Sequence, residues 1–266
     1  RRDVTAYFII MLLLMLPAIL LPQRHPSRVA WAFAYLMLLV FVGLRHKVGM
    51  DWNNYLMMAG KVEGAPLLEA LSVAEPGYAA LLWLSVNAGV GVYGANLVTA
   101  AIMLAGVMKF CRQSHLPWLS LVCALPMLVF VVGMSANRQA AAIGVLMWLA
   151  ASWDSVGLKK RIALTLLASA FHLSAVFFLV FSALGLKMRP AYKLVLVTAL
   201  SAVALFLLQV SGGAEYYDQA YVTGQSELTF SPGASQHVLL NGVPALLLVF
   251  GGRFRRVLFP TPLLRH

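Results

Sequence analysis

The sequence predicts an all-α, polytopic integral membrane protein with about seven to nine membrane helices. Three observations carry that prediction. Of its 266 residues, 61% are hydrophobic and only 11% are charged, against about 45–50% and about 25% in a soluble domain. A globule of this size cannot hide so much apolar surface, which excludes an ordinary soluble enzyme, and the same numbers exclude intrinsic disorder. The apolar residues also run continuously instead of alternating, which argues against a transmembrane barrel and leaves helices, whose backbone groups are satisfied internally.

Nine apolar segments follow one another, at about 6–21, 29–44, 77–90, 95–110, 118–134, 139–153, 162–186, 193–210 and 238–250. The first follows Arg1 and Arg2 and has the look of a signal peptide. Leu21-Pro22-Gln23-Arg24 is a poor cleavage site, so it reads as a membrane helix. The start at Arg1 instead of Met suits a fragment or a processed chain. A full span needs about 20 residues, so 77–90 is too short and 238–250 is marginal. The long 162–186 segment carries His172 near its middle, where two half-helices could meet. Cys111 and Cys123 have no metal or redox spacing and read as small core residues. No repeat or linker divides the chain, so residues 1–266 are expected to form one domain.

The net charge is +11, from 20 basic and 9 acidic residues. In a membrane protein this excess belongs to cytoplasmic loops, and no nucleic-acid partner is expected. If all nine segments crossed, each side would hold ten basic residues, a poor fit to the positive-inside rule. If 77–90 stays at the outer surface or re-enters, and 162–186 folds back near His172, the cytoplasmic side holds fourteen and the outer side six. That topology puts the loops 45–76, 135–138 and 211–237 outside.

Those loops, with His172, hold the polar chemistry. Gly43-Leu44-Arg45-His46-Lys47-Val48-Gly49-Met50-Asp51-Trp52-Asn53-Asn54-Tyr55 gathers cations, a carboxylate and aromatic rings. Asp51 is close enough to Arg45 in sequence to be simply its ion-pair partner. In Ala74-Glu75-Pro76-Gly77-Tyr78, Pro76 suits the first turn of a helix, and Glu75 then falls near the N-cap. Ser135-Ala136-Asn137-Arg138-Gln139 opens an Ala-rich helix that Asn137 or Ser135 can cap. Arg138 opposes the helix dipole there, so it needs another partner: an anion shared with the helix N-terminus, or lipid head groups. His172 lies in mid-segment and needs either a carbonyl partner or a cavity; its ordinary pKa also suits proton transfer. A loop of about 26 residues without Lys or Arg holds Glu215-Tyr216-Tyr217-Asp218-Gln219-Ala220-Tyr221, a set suited to sugars or to an interfacial aromatic belt.

Other chemistries lack their signatures. There is no phosphate-binding Gly-rich loop with Lys-Ser/Thr, no His-Glu-x-x-His and no zinc-spaced cysteine pair. No Asp-x-Asp cluster implies a divalent metal, and no regular arginine series implies a voltage sensor. No metal or cofactor is expected.

The run from Gly43-Leu44-Arg45 through Val48-Gly49-Met50-Asp51 to Tyr55 resembles the signature of EpsG-type, Wzy-like polysaccharide polymerases. Glu75-Pro76-Gly77-Tyr78, Asn137-Arg138-Gln139, Phe171-His172-Leu173-Ser174-Ala175 and the tyrosine-rich 216–221 segment follow in that family's order. The resemblance covers about residues 29–250. Met50 departs from the family's usual Thr, and family members often run longer, which leaves room for one or two further C-terminal helices. The resemblance implies a GT-C-like membrane glycosyltransferase at the outer face of the bacterial cytoplasmic membrane. Its donor and acceptor would be undecaprenyl-pyrophosphate-linked glycans, with a flippase and a chain-length regulator of the same pathway as further partners.

On this reading Arg45 and Arg138, helped by Lys47, bind the departing pyrophosphate, since guanidinium forks onto phosphate oxygens. Asp51, His172 and Glu75 are the candidates for the base that takes the acceptor proton. Tyr55, Tyr78, Tyr217, Asp218 and Tyr221 are the candidate glycan contacts. An O-antigen ligase-like transferase uses the same donor with another acceptor. A transporter or flippase of lipid-linked glycans, or an envelope scaffold, is the reading from another class.

Overall fold

The computed structural model describes residues 4–21, 26–184 and 188–210. Every regular element among them is helical. Two helices precede the first polar loop, α1 (Thr5–Leu20) and α2 (Arg28–Gly43). The loop region 45–76 is not wholly irregular: it holds α3 (Trp52–Val62) and the single turn α4 (Leu67–Ala70). Helix α3 forms because Trp52, Tyr55, Ala59 and Val62 recur at helical spacing and pack inward on one face. Next come α5 (Pro76–Asn87), α6 (Val92–Cys111) and a continuous helical rod of α7 (Pro117–Ala124), a π segment (Leu125–Val132) and α8 (Gly133–Ser135). Pro126 has no N–H to give to the π segment. Helix α9 (Asn137–Ala151) leads through a short 3₁₀ turn into α10 (Leu158–Phe171). A second 3₁₀ turn (Leu173–Phe178), α11 (Leu179–Leu184) and α12 (Pro190–Val210) follow.

The stretches Val92–Cys111 and Pro117–Ser135 are long and apolar enough to cross a membrane; α1 and α2 are apolar but shorter. On α1 and α2 the exposed side chains include Phe8, Leu12, Ile19, Phe33 and Leu36, an outer surface suited to lipid. At 12 residues α5 reaches only about 18 Å, in line with a segment too short to cross. The long 162–186 segment is not one helix: the backbone at His172 is extended, α10 ends there, and α11 packs back against α10. The 238–250 segment lies outside the described residues.

Helix α6 is the hub, packed on α2, α5, α7 and most closely on α9. That approach depends on two glycines: a Cβ on Gly106 would overlap the Gly144 carbonyl, and one on Gly144 would meet the backbone of Ile102 and Met103. The main core joins α1, α2, α6 and the 117–135 rod through Leu38, Val42, Met103, Leu104, Trp118 and Leu121. A second core under the polar loop joins α3, α5 and α6 through Trp52, Tyr55, Tyr78 and Leu82. Cys111 is buried as expected; Cys123 is exposed and so is not a core residue.

Candidate functional site

Helices α5, α9 and α10 bring three charged side chains together. Arg138, in the first turn of α9, donates from Nη1 to Glu75 Oε2 at 2.7 Å. The other carboxylate oxygen, Oε1, faces His172 Nδ1 at 3.2 Å and accepts the Leu173 N–H at 3.4 Å. The local sequence explains the assembly. Pro76 starts α5, leaving Glu75 just ahead of its first turn. Gly77 lets that turn lie against the end of α10, since a Cβ there would sit 2.8 Å from the Ala170 carbonyl oxygen. The extended backbone at His172 then ends α10 beside the carboxylate.

Glu75 therefore stands at the N-cap position of α5 but makes no cap hydrogen bond with its side chain. Burial alone pushes its carboxyl pKa up; the His172 hydrogen bond and the charge of Arg138 outweigh that and bring it down to about 2. Glu75 is thus an ionised acceptor at neutral pH, a poor base. Against an acceptor-only carboxylate the His172 Nδ1 must carry its proton, so in the neutral ring Nε2 holds the free lone pair. The side chains of Arg138 and His172 stay 33% and 25% exposed, so both remain reachable. The sequence leaves Arg138 an external anion shared with the helix end or lipid head groups as its partner; in the fold Glu75 pairs with it.

Arg45 is also placed differently from the expectation. It is 5% exposed, and its Nη1 donates to the Val42 carbonyl at 2.9 Å. Its Nη2 donates to Asn137 Oδ1, and Asn137 Nδ2 donates to Asn96 Oδ1 at 2.6 Å. A guanidinium so enclosed has no free fork for pyrophosphate, which corrects its assignment as a direct ligand. Nor does Asn137 cap α9 with its side chain, and Ser135 Oγ accepts the Met50 N–H instead. Tyr55 and Tyr78 are 3% and 0% exposed, with ring centroids 5.4 Å apart. Both belong to the second core and offer no ring face to a glycan.

Asp51 precedes α3 and forms no ion pair with Arg45 among the described residues. The fold does not bring it into the Glu75 cluster. Lys47 is exposed, with a left-handed φ of 53°, and joins no hydrogen bond or ion pair in that cluster. Gly49, at φ 104°, seats this loop against Met134, where a Cβ would overlap the carbonyl oxygen. Tyr217, Asp218 and Tyr221 lie outside the described residues. Sequence reasoning missed Asn96, whose signal was an amide within an apolar helix, and the cluster of His46, Trp52 and Tyr93. In that cluster His46 Nδ1 lies 2.6 Å from the Tyr93 hydroxyl, and the His46 and Trp52 rings are 5.6 Å apart. Among the described residues no three His, Cys, Asp or Glu side chains gather as a metal site would require.

No curated protein and no solved structure matches the chain. The model of the EpsG family matches residues 28–249, a stretch that holds the Glu75 cluster, the buried Arg45 and the apolar helices from α2 onward. The chain belongs to the EpsG family, and that membership points to an exopolysaccharide-polymerase-like membrane protein.

Proposed function

We propose that this chain is a membrane glycosyltransferase that polymerises undecaprenyl-pyrophosphate-linked repeat units at the outer face of the cytoplasmic membrane. The observation that carries the reading is the Glu75 carboxylate holding Arg138 with one oxygen and His172 with the other. Glu75 orients both groups; neither it nor Asp51 is the base. The His172 Nε2 lone pair takes the proton of an acceptor sugar hydroxyl. The acceptor oxygen then forms the new glycosidic bond at the donor's anomeric carbon. The bond from that carbon to the pyrophosphate oxygen breaks, and its electron pair leaves with the polyprenyl pyrophosphate. The guanidinium of Arg138 stabilises the charge that gathers on that oxygen.

The outward orientation is supported by charge. Lys109 and Arg112 close α6, the end of α9 is tied to them by bonds from Lys109 to Ser152 and from Gln113 to the Ala151 carbonyl, and Lys159, Lys160 and Arg161 open α10. This basic end lies about the length of α9, roughly 20 Å, from the site end. The positive-inside rule assigns such an end to the cytoplasm.

The test uses the full chain, purified and reconstituted, with a lipid-pyrophosphate-linked repeat unit of its own pathway. A product ladder that disappears in Arg138→Ala and His172→Ala supports the proposal. Intact substrate from folded protein transfers the weight to a ligase or a transporter.

A further inference from the structure

Arg45 is a buried cation with no counter-ion among the described residues. No carboxylate among the described residues pairs with it, and its partners are two neutral oxygens, the Val42 carbonyl and Asn137 Oδ1. Its Nε has no hydrogen-bond partner. A charge in such a place is costly unless it is paired. Asn137 is fully buried and its neighbour in sequence is Arg138, whose guanidinium holds Glu75.

The hydrogen-bond logic makes the missing charge specific. A guanidinium only donates, so the Asn137 oxygen must face Arg45 and its Nδ2 must donate to Asn96. That leaves Asn96 Nδ2 buried without a partner. An aspartate at position 137 would give Arg45 a counter-charge with one oxygen and, with the other, accept the Asn96 Nδ2 once that amide is turned over. The chain instead carries the one isostere that leaves Arg45 charged and uncompensated and an amide donor unmatched.

We propose that Arg45 is a positioning and field residue: its un-neutralised charge, transmitted beside the first turn of α9, favours an anionic phosphate-bearing ligand at Arg138 without touching it. The inference rests on the proposed polymerase reading for the ligand's identity. Arg45 holds Asn137 directly and Asn137 adjoins Arg138 in the chain, which sets the two charges about 15 Å apart, and at an effective dielectric near 20 one such charge changes the affinity for an anion about fivefold.

The experiment measures binding of undecaprenyl pyrophosphate to the reconstituted full chain by intrinsic tryptophan fluorescence. Melting and ladder formation are followed on the same samples. Asn137→Asp is expected to melt at or above the wild-type temperature while binding about fivefold more weakly. Arg45→Lys keeps the charge and is expected to stay within about twofold of wild type, whereas Arg45→Gln falls with Asn137→Asp. Wild-type affinity in a folded Asn137→Asp variant overturns the inference. Equal losses in Arg45→Lys and Arg45→Gln also overturn it, because contact geometry and not charge would then be at work. A melting temperature below wild type in Asn137→Asp overturns the satisfaction argument. A wild type that binds the lipid but builds no ladder rejects the polymerase reading and leaves the field inference standing; a wild type that does not bind it rejects both.

Discussion

The two ends of the α6, α9 and α10 helices treat their cations in opposite ways. At the site end Arg138 is tied to a carboxylate from another helix, and Arg45 is enclosed by an amide and a carbonyl. At the basic end no ion pair forms among the described residues. Lys109 lies over the Trp148 ring at 3.9 Å, and Arg161 lies over Trp153 at 4.2 Å while donating to the carbonyls of Trp153 and Val156. One end sets its cations on a carboxylate, an amide oxygen and a carbonyl. The other sets them on ring faces, a hydroxyl and backbone carbonyls, with no carboxylate among the described residues, as a membrane-border girdle does. The difference separates charges that position chemistry from charges that orient a helix bundle.

The contrast breaks most completely at Glu75. Glu75→Gln keeps the shape but leaves Arg138 without its counter-charge and lets His172 take the other tautomer. Polymerisation is expected to fall by about 10⁴, the scale of losing an orienting carboxylate, in the ladder assay. His172→Ala removes the base alone and is expected to cost about 10³ with binding of the lipid pyrophosphate retained. A variant that loses binding as well would make His172 a ligand.

Gly106→Leu attacks the spacing that both ends share. Its side chain would drive α6 from α9, and the expected result is loss of folded, monodisperse protein in size-exclusion chromatography and melting, beyond about 3 kcal/mol. Acid weakens only the site end. The Glu75 pKa is lowered from 4.5 to about 2 in the folded protein, so its stabilisation is full above pH 4.5 and is lost as pH falls through 2. That loss is about 3 kcal/mol in total, and Glu75→Gln should remove this acid-dependent slope from the melting curves. The smallest effect belongs to the basic end: Lys109→Met with Arg161→Met should leave the ladder intact and lower stability by about 1 kcal/mol. A lost ladder would give the basic end a part in the chemistry.

Much of this was legible in the sequence. The apolar segments at 95–110 and 118–134 correspond to α6 and to the 117–135 rod, and the short 77–90 segment to the 12-residue α5. The break at His172 was legible from a polar residue in an overlong apolar run. Helix α3 was hidden in a loop rich in motifs, although Trp52, Tyr55, Ala59 and Val62 carried its period. The tyrosines were misread because residue type alone does not say which rings a core will claim.

By itself, then, the sequence determined the helical membrane class, the family motifs and the side chains with unusual chemistry. Composition, periodicity and short motifs are local properties, readable without coordinates. Only the tertiary structure decided which of those side chains meet. Glu75 is 63 residues from Arg138 and 97 from His172, and their meeting depends on backbone approaches such as Gly77 to Ala170 and Gly106 to Gly144. Burial is set by the same packing. It turned Arg45 from an apparent ligand into an enclosed charge, and Glu75 from a candidate base into an ionised clamp, because pairing and desolvation are properties of an assembled neighbourhood and not of a residue.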